Sequence, residues 1–411
     1  MKKIIDLLKS IGPGFAVAAT GVGAGDMVAA TVSGGKYGLI ILWAIVFGAV
    51  LKYVLNEGIS RWQFATGSTL LEGWIHHLHK FVSFYFIIYL FLWGFVVSAA
   101  LTISCGLVFN TMFPVFSIEV WAVMHSLVTL AIIFYSKYSF FEKLMKYFVV
   151  LMFITLISCA IWINPDWGLT FKSIFVPELP EGSSKFILSV IGGVGGSVTI
   201  LSYSYWIREK KWNSQSDYKK SKVDLFAAYF FTGLFCISVA IIASGISPEM
   251  VTGEKILVAV ADKIQAVSGS FLRWIYLIGF WAAVVTSLIG VFQGVPYMFA
   301  DFIDSYKKHT TTSNIDSKQF KKYYNWFLFY IAILPLVLLF VNRPVYIILI
   351  YTVIGALFMP FLAVTLLILN NKKTLVQGFR NPIWINIFLI ISLLLFGYLA
   401  YSEIADYFSK W

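Results

Sequence analysis

The chain has 411 residues, 59% of them hydrophobic and only 12% charged, and its mean hydropathy is +0.83. About a quarter of a soluble domain is charged, so this composition excludes a soluble enzyme, a disordered chain and a secreted disulfide scaffold, and leaves a polytopic membrane protein. The formal net charge of +11 comes from 31 Lys and Arg against 20 Asp and Glu; the basic residues fall in short runs between apolar segments, which points to topology and not to nucleic-acid binding.

A helix needs about 20 apolar residues to cross the hydrocarbon core. Eleven segments meet that need, roughly 12–34, 39–61, 81–109, 118–136, 144–163, 184–207, 225–246, 270–298, 324–341, 344–369 and 383–402. The start, MKKIIDLLKSIGPGF, is positive, but no small-residue cleavage site follows it. It reads as a retained first helix and not a signal peptide. With the N-terminus inside, the internal loops hold 22 of the 31 basic residues and the external loops eight, with Lys52 within a span. That excess predicts a cytoplasmic N-terminus and an external C-terminus, in the inner membrane if the source is bacterial.

Between the spans, 164–184 is predicted external and mildly acidic, and 247–269 external and amphipathic enough for a short interfacial helix. The stretches 209–222 and 307–318 read as polar cytoplasmic connectors. The cysteines Cys105, Cys159 and Cys236 lie inside apolar runs with no metal or disulfide spacing. Span three is rich in aromatic residues, from Phe81 to Phe95, read as lipid-facing or packing groups.

Two glycine clusters interrupt the pattern. Span one contains Gly21-Val22-Gly23-Ala24-Gly25-Asp26, and span six contains Gly192-Gly193-Val194-Gly195-Gly196-Ser197. The shared G-V-G-[AG]-[GS] starts 172 residues apart, at Gly21 and Gly193, and each copy opens a block of five spans. Five is odd, so two such blocks have inverted topology. Interrupted helices at matching places of inverted repeats point to a secondary-transporter site at the midplane. Close helix packing is the competing reading of glycine in a span. Unwinding would free backbone carbonyls, which must then face a cavity or a polar partner. Asp26 beside the first break is the leading functional residue, because a carboxylate inside a span is costly unless it is partnered or solvated; capping of the following half-helix is its other reading.

The same residues resemble the Nramp family of divalent-metal transporters, which have the LeuT-type inverted-repeat fold. The resemblance runs through Gly12-Pro13-Gly14-Phe15, Gly34, Tyr37-Gly38, Leu42-Trp43, Arg61 and Ala65-Thr66-Gly67, then Ile191-Gly192 and Gly195, then Met359-Pro360-Phe361 and Leu369-Asn370-Asn371-Lys372-Lys373. It is densest in the first 70 residues. Departures are visible too. Gly23-Ala24-Gly25-Asp26 stand where the family has Asp-Pro-Gly-Asn, and Thr199-Ile200-Leu201 where it has Met-Pro-His. Residues 81–113 carry no Asp or Glu, whereas the family's third span holds carboxylates linked to proton movement. The resemblance therefore implies an outlying Nramp-related branch.

The metal-site candidates left are Asp26, the carbonyls near Gly23 and Val198, the hydroxyls of Thr199 and Ser202, and, more weakly, Gln293 and Thr352. All are oxygen donors, which suit hard divalent ions such as Mn²⁺ or Mg²⁺. Lys52, Glu57 and Arg61 in span two are gating or coupling candidates. Glu57 and Arg61 have the i, i+4 spacing of a helical ion pair. Lys52, mid-span, must face the bundle interior and find a partner, either as a tie to a neighbouring carbonyl or as a built-in cation coupled to transport. His125 reads as a satisfied core histidine, and His76, His77 and His79 form a loose loop group.

These readings combine into one expectation: an all-α membrane protein with about eleven spans, forming a single transporter domain. Its inverted repeats cover about 12–163 and 184–369, with helices one and six broken and an extra helix at 383–402. It would move divalent cations by alternating access, as a secondary-active transporter and not an enzyme. It would need no cofactor, nucleic acid or obligatory protein partner, only the lipid bilayer and its transported cation. The alternatives are a Na⁺- or H⁺-coupled carrier of a small organic solute on the same scaffold, a channel, and a sensor that has lost transport.

Overall fold

The computed structural model describes residues 12–244, 256–308, 317–341 and 344–408, and within these it leaves out some side chains, Asp26 and Thr352 among them. The first eleven residues, most of the predicted 307–318 connector and the start of the predicted interfacial segment lie outside the described residues. Every regular element described is helical. A bilayer permits few other choices, because a helix satisfies its own backbone donors and acceptors.

The elements run α1 Pro13–Gly21, α2 Ala24–Tyr37, α3 Leu42–Thr66, α4 Leu70–His77, α5 Lys80–Met112, α6 Ile118–Tyr135, α7 Tyr138–Trp162 and α8 Trp167–Phe175. They continue as α9 Ser184–Gly193, α10 Ser202–Glu209, α11 Gln215–Ala243, α12 Ile256–Lys308, α13 Lys318–Ile333, α14 Pro344–Leu369 and α15 Ile383–Phe408. Among the described residues, nine helical stretches are long and apolar enough to cross a membrane. Span one departs from a simple crossing because it is split into α1 and α2. Span eight is much longer than predicted: α12 reaches Lys308, and it bends at Gly269, whose φ of 84° is non-helical. The described part of the predicted interfacial helix is the segment before that bend. The helix α8, inside 164–184, was not anticipated; Asp166 caps it by accepting from the Leu169 N–H at 2.9 Å.

The aromatic third span divides cleanly. Phe81, Phe84, Ile88 and Leu92 are exposed, while Phe86, Leu90, Trp93 and Val97 are buried. The exposed set repeats every three to four residues, so it forms one stripe along α5. A contiguous apolar stripe of this kind would be a liability in water and is what lipid requires.

Candidate functional site

Both predicted breaks are present, and they lie against each other. Helix α1 ends at Gly21, Val22 leaves helical geometry at φ −90°, ψ 80°, and α2 resumes at Ala24. Helix α9 ends at Gly193. Gly195 and Gly196 then adopt φ of 82° and 78°, a left-handed conformation that glycine reaches without a Cβ clash. A single 3₁₀ turn, Val198–Leu201, leads into α10. A Cβ on Gly21 would lie 2.9 Å from the Gly195 carbonyl carbon, and one on Gly196 would lie 3.0 Å from the Gly21 Cα. Backbone meets backbone at this crossing, so both glycine readings apply: the helices unwind and they pack closely.

Gly25, in the glycine cluster, and Asp26, expected beside the break, both belong to α2. The break is shorter than the glycine cluster because Met27 N–H already donates to the Gly23 carbonyl at 3.2 Å. Asp26 is thus the third residue of α2, in the first turn, where a carboxylate complements the helix N-terminus; its side chain lies outside what is described. The freed carbonyl is that of Val22, one residue earlier. The Ser287 hydroxyl donates to it at 2.8 Å, with Ala19 O a second acceptor at 3.2 Å. In the second break the Gly196 carbonyl accepts from the Lys52 ammonium, which is fully buried. Lys52 therefore makes the tie between span two and a broken-helix carbonyl.

Three hydroxyls at the crossing are buried without a hydrogen-bond partner: Thr20 Oγ1, Ser197 Oγ and Ser202 Oγ. Each sits over a glycine on a neighbouring helix. A Cβ on Gly290 would fall 1.9 Å from Thr20 Oγ1, one on Gly294 2.2 Å from Ser202 Oγ, and one on Gly355 3.1 Å from Ser197 Oγ. Gly290 and Gly294 are one turn apart on α12, so that helix offers two notches to the two breaks. Sequence reading missed these glycines because isolated glycines in a span carry no motif. Gly294→Ala is expected to cost about 1–3 kcal/mol through overpacking, read as a lower Tm in detergent; an unchanged Tm would show that Ser202 simply moves aside.

The other candidates are placed as follows. Val198, Thr199 and Ser202 are buried at the second break. Gln293 is beside them, but its Oε1 accepts from Trp206 Nε1 at 2.8 Å. The Thr352 side chain lies outside what is described. Glu57 and Arg61 pair at 2.8 Å. Tyr218 donates to Glu57 at 2.5 Å and Arg61 reaches the Arg380 carbonyl at 3.2 Å, so this pair fastens α3 to α11 and to the chain before α15. His125 is satisfied by Trp121 O at 2.7 Å and by Trp281 Nε1 at 3.0 Å. The loop histidines do not converge: His76 meets Ser305 at 3.2 Å, His79 caps α5, and His77 packs on Trp62. Among the described residues, no group of three His, Cys, Asp or Glu could hold a metal ion.

One end of the bundle carries a polar network that the span boundaries hid. Asp224 on α11 accepts from the Gly12 N–H at 3.1 Å, the Gly14 N–H at 2.6 Å and the Tyr203 hydroxyl at 2.9 Å. Arg208 at the end of α10 pairs with Glu72 and lies 3.5 Å from Asp301. Asp301 also accepts from Thr69 at 2.7 Å and Tyr205 at 2.9 Å. Lys210 bonds Glu142 at 2.6 Å, and Tyr297 donates to Glu209. Burial and the neighbouring Asp301 carboxylate push Glu72 up to about 8, against the pull of Arg208. The expected spans seven and eight, 225–246 and 270–298, stop short of Asp224 and Asp301. Their helices run on past the apolar stretch, and both side chains are buried. A cavity of about 240 Å³ opens beside Arg208, lined also by Gln63, Lys211 and Trp212; it is separate from the crossing.

The sequence profile described as "Natural resistance-associated macrophage protein-like" (Nramp) matches residues 14–406. The chain belongs to the Nramp family. That is a family of membrane transporters and not of enzymes, and the chain is accordingly a multi-pass integral membrane protein. It is 25% identical over 322 residues to the metal transporter Nramp6.2 of Populus trichocarpa, covering 72% of this chain and 57% of that protein. An uncharacterized Pasteurella multocida protein is 22% identical over 234 residues, 56% of this chain and 54% of that one. The chain thus spans little more than half the length of these curated relatives. Among solved structures, the Eremococcus coleocola manganese transporter superposes with a TM-score of 0.79 at 16% identity, over 97% of this chain and 87% of that one. MhsT in complex with L-phenylalanine superposes at 0.60 and 16% identity, over 95% and 98%. These likenesses establish a LeuT-type fold with helices one and six broken.

Proposed function

We propose that this Nramp-family chain is a secondary-active transporter that moves divalent metal cations by alternating access, with hard ions of the Mn²⁺ or Mg²⁺ kind favoured. The observation that carries this is the crossing of the two breaks, where Gly21 meets Gly195 and Gly196 and three buried hydroxyls lack partners. A buried hydroxyl without a hydrogen-bond partner is costly, and a bound cation would take its lone pair. Asp26 in the first turn of α2 would provide the carboxylate, with Thr199, Ser202 and backbone carbonyls of the Gly23 and Val198 regions as further donors. Oxygen donors select hard cations over soft ones. The two inverted repeats, about 12–163 and 184–369, would rock around this point, with 383–402 outside them.

The excess of basic residues in the expected internal loops supports a cytoplasmic N-terminus. The Asp224 and Arg208 network would then close the cytoplasmic side. Transport of metal is supported by the family and by its similarity to Nramp6.2, a metal transporter, and to the Eremococcus manganese transporter.

The test is uptake into liposomes from a panel of divalent cations. Mn²⁺ or Mg²⁺ flux by the wild type, lost in Asp26→Ala at normal expression, is the expected result. Wild-type flux by Asp26→Ala would remove Asp26 from the site, and strong preference for Cd²⁺ or Fe²⁺ would overturn the hard-ion assignment. No flux of any divalent ion would turn attention to an organic solute.

A further inference from the structure

Lys52 is the most unusual charge in the described chain. It lies in the middle of α3 and is completely buried, where a charged side chain costs about 2.5–3.5 kcal/mol on insertion scales unless it is partnered. Its ammonium donates to the Gly196 carbonyl and lies 5.7 Å from the centre of the Phe396 ring. The carbonyl is available because Gly196 adopts φ 78° between two helical segments. The aromatic face adds a second attraction for a cation. The residues after Lys52 on the same helix face are also committed to polar contacts across the bundle: Asn56 donates to Tyr229 at 3.1 Å and Ser60 meets Ser221 at 2.9 Å. Tyr229 in turn is the ring against which Gly195 packs, since a Cβ there would lie 2.8 Å from its Cε1.

A released carbonyl in a broken membrane helix is a ligand for a monovalent cation in transporters built this way. Here the position on that carbonyl is taken by a cation that is part of the chain. We propose that Lys52 is a tethered monovalent cation, which holds the second break in shape from within and takes the place of a mobile ion on the Gly196 carbonyl. The chain would then need no external monovalent cation to organise this half of the site, and a divalent substrate would enter beside a fixed positive charge. The proposal rests on reading the two breaks as the transport site, but its test does not require transport.

The experiment measures Tm of the purified full chain in detergent, in choline, Na⁺, n-propylammonium or n-propanol. Wild type is expected to show the same Tm in all four. Lys52→Ala, which leaves a slot the length of the lost stem, is expected to be less stable in choline. Its Tm should rise saturably, by about 5 °C, with n-propylammonium or Na⁺ and not with the isosteric alcohol. Lys52→Met fills the slot without charge and is expected to stay below wild type in choline. Equal rescue of Lys52→Ala by n-propanol, or wild-type Tm of Lys52→Met in choline, would overturn the proposal, because bulk would then be all the site needs. Failure to recover either variant in any of the four solutions would overturn it too, since a tethered cation must be replaceable by a free one. A protein that moves no divalent cation yet shows this rescue would lose the metal reading and keep the tethered cation; flux with no rescue would do the reverse.

Discussion

Asp224→Ala is expected to open the end of the bundle at which α1 begins. The Asp224 carboxylate holds the N-terminus of α1 through the Gly12 and Gly14 N–H groups, at 3.1 and 2.6 Å, and also takes the Tyr203 hydroxyl. The approach is so close that a Cβ on Gly14 would fall 2.5 Å from the Asp224 carbonyl oxygen. The first N–H groups of a helix have no partner within it, and an anion there also meets the positive end of the helix dipole. Removing the carboxylate leaves two buried donors unpaired at about 1–3 kcal/mol each. The penalty falls only on the closed arrangement, because water pairs the same groups once α1 swings away. A bias of about 3 kcal/mol shifts the ratio of open to closed by about two powers of ten. The readout is maleimide labelling of Thr20→Cys, from the side on which α1 begins, in a chain whose three buried cysteines are replaced by alanine. Labelling should be at least about tenfold faster with Asp224→Ala. Equal rates would mean that α1 is held by its apolar packing alone.

Arg208→Met should cost more. Arg208 faces two buried carboxylates, Glu72 and Asp301. Removing one member of a buried ion pair costs about 3–5 kcal/mol, mostly the uncompensated charge left behind. Glu72→Gln should be mild by contrast. Its carboxyl is pushed up to about 8 by burial and by Asp301, so near neutral pH it is largely protonated when the network is closed. The sign follows. Between the ordinary glutamate value and about 8, the closed network binds a proton that the opened one releases. Closure therefore strengthens as pH falls through that window and weakens as it rises. Tm measured from pH 5 to 9 should show Arg208→Met lowest throughout. Glu72→Gln should lose the wild-type slope above pH 5. A Glu72→Gln profile parallel to wild type would assign the slope to another group.

Much of this protein is legible along the chain. Long apolar runs can only be helices in lipid, and their lengths bound the spans. The glycine clusters located both breaks, since glycine in a span marks either unwinding or close approach, and here it marks both. The boundaries of the breaks were less exact. Gly25 and Asp26 belong to α2, because the helix restarts as soon as Met27 can bond back to Gly23. The mid-span position of Lys52 required an interior partner, but nothing in the sequence names the carbonyl of a residue 144 positions away.

The sequence by itself determined the membrane class and which two helices break; it predicts eleven spans, and nine helical stretches among the described residues are long and apolar enough to cross. These follow from hydrophobicity and backbone freedom, which are properties of neighbouring residues. The tertiary structure decided who meets whom: Asp224 with the start of α1, Arg208 with Glu72 and Asp301, Ser287 with the freed Val22 carbonyl, Lys52 with Gly196, and the glycine notches of α12 with Thr20 and Ser202. Such partners are chosen by the packing of helices far apart in the chain. In a medium with no water to satisfy a polar group, that choice fixes the site.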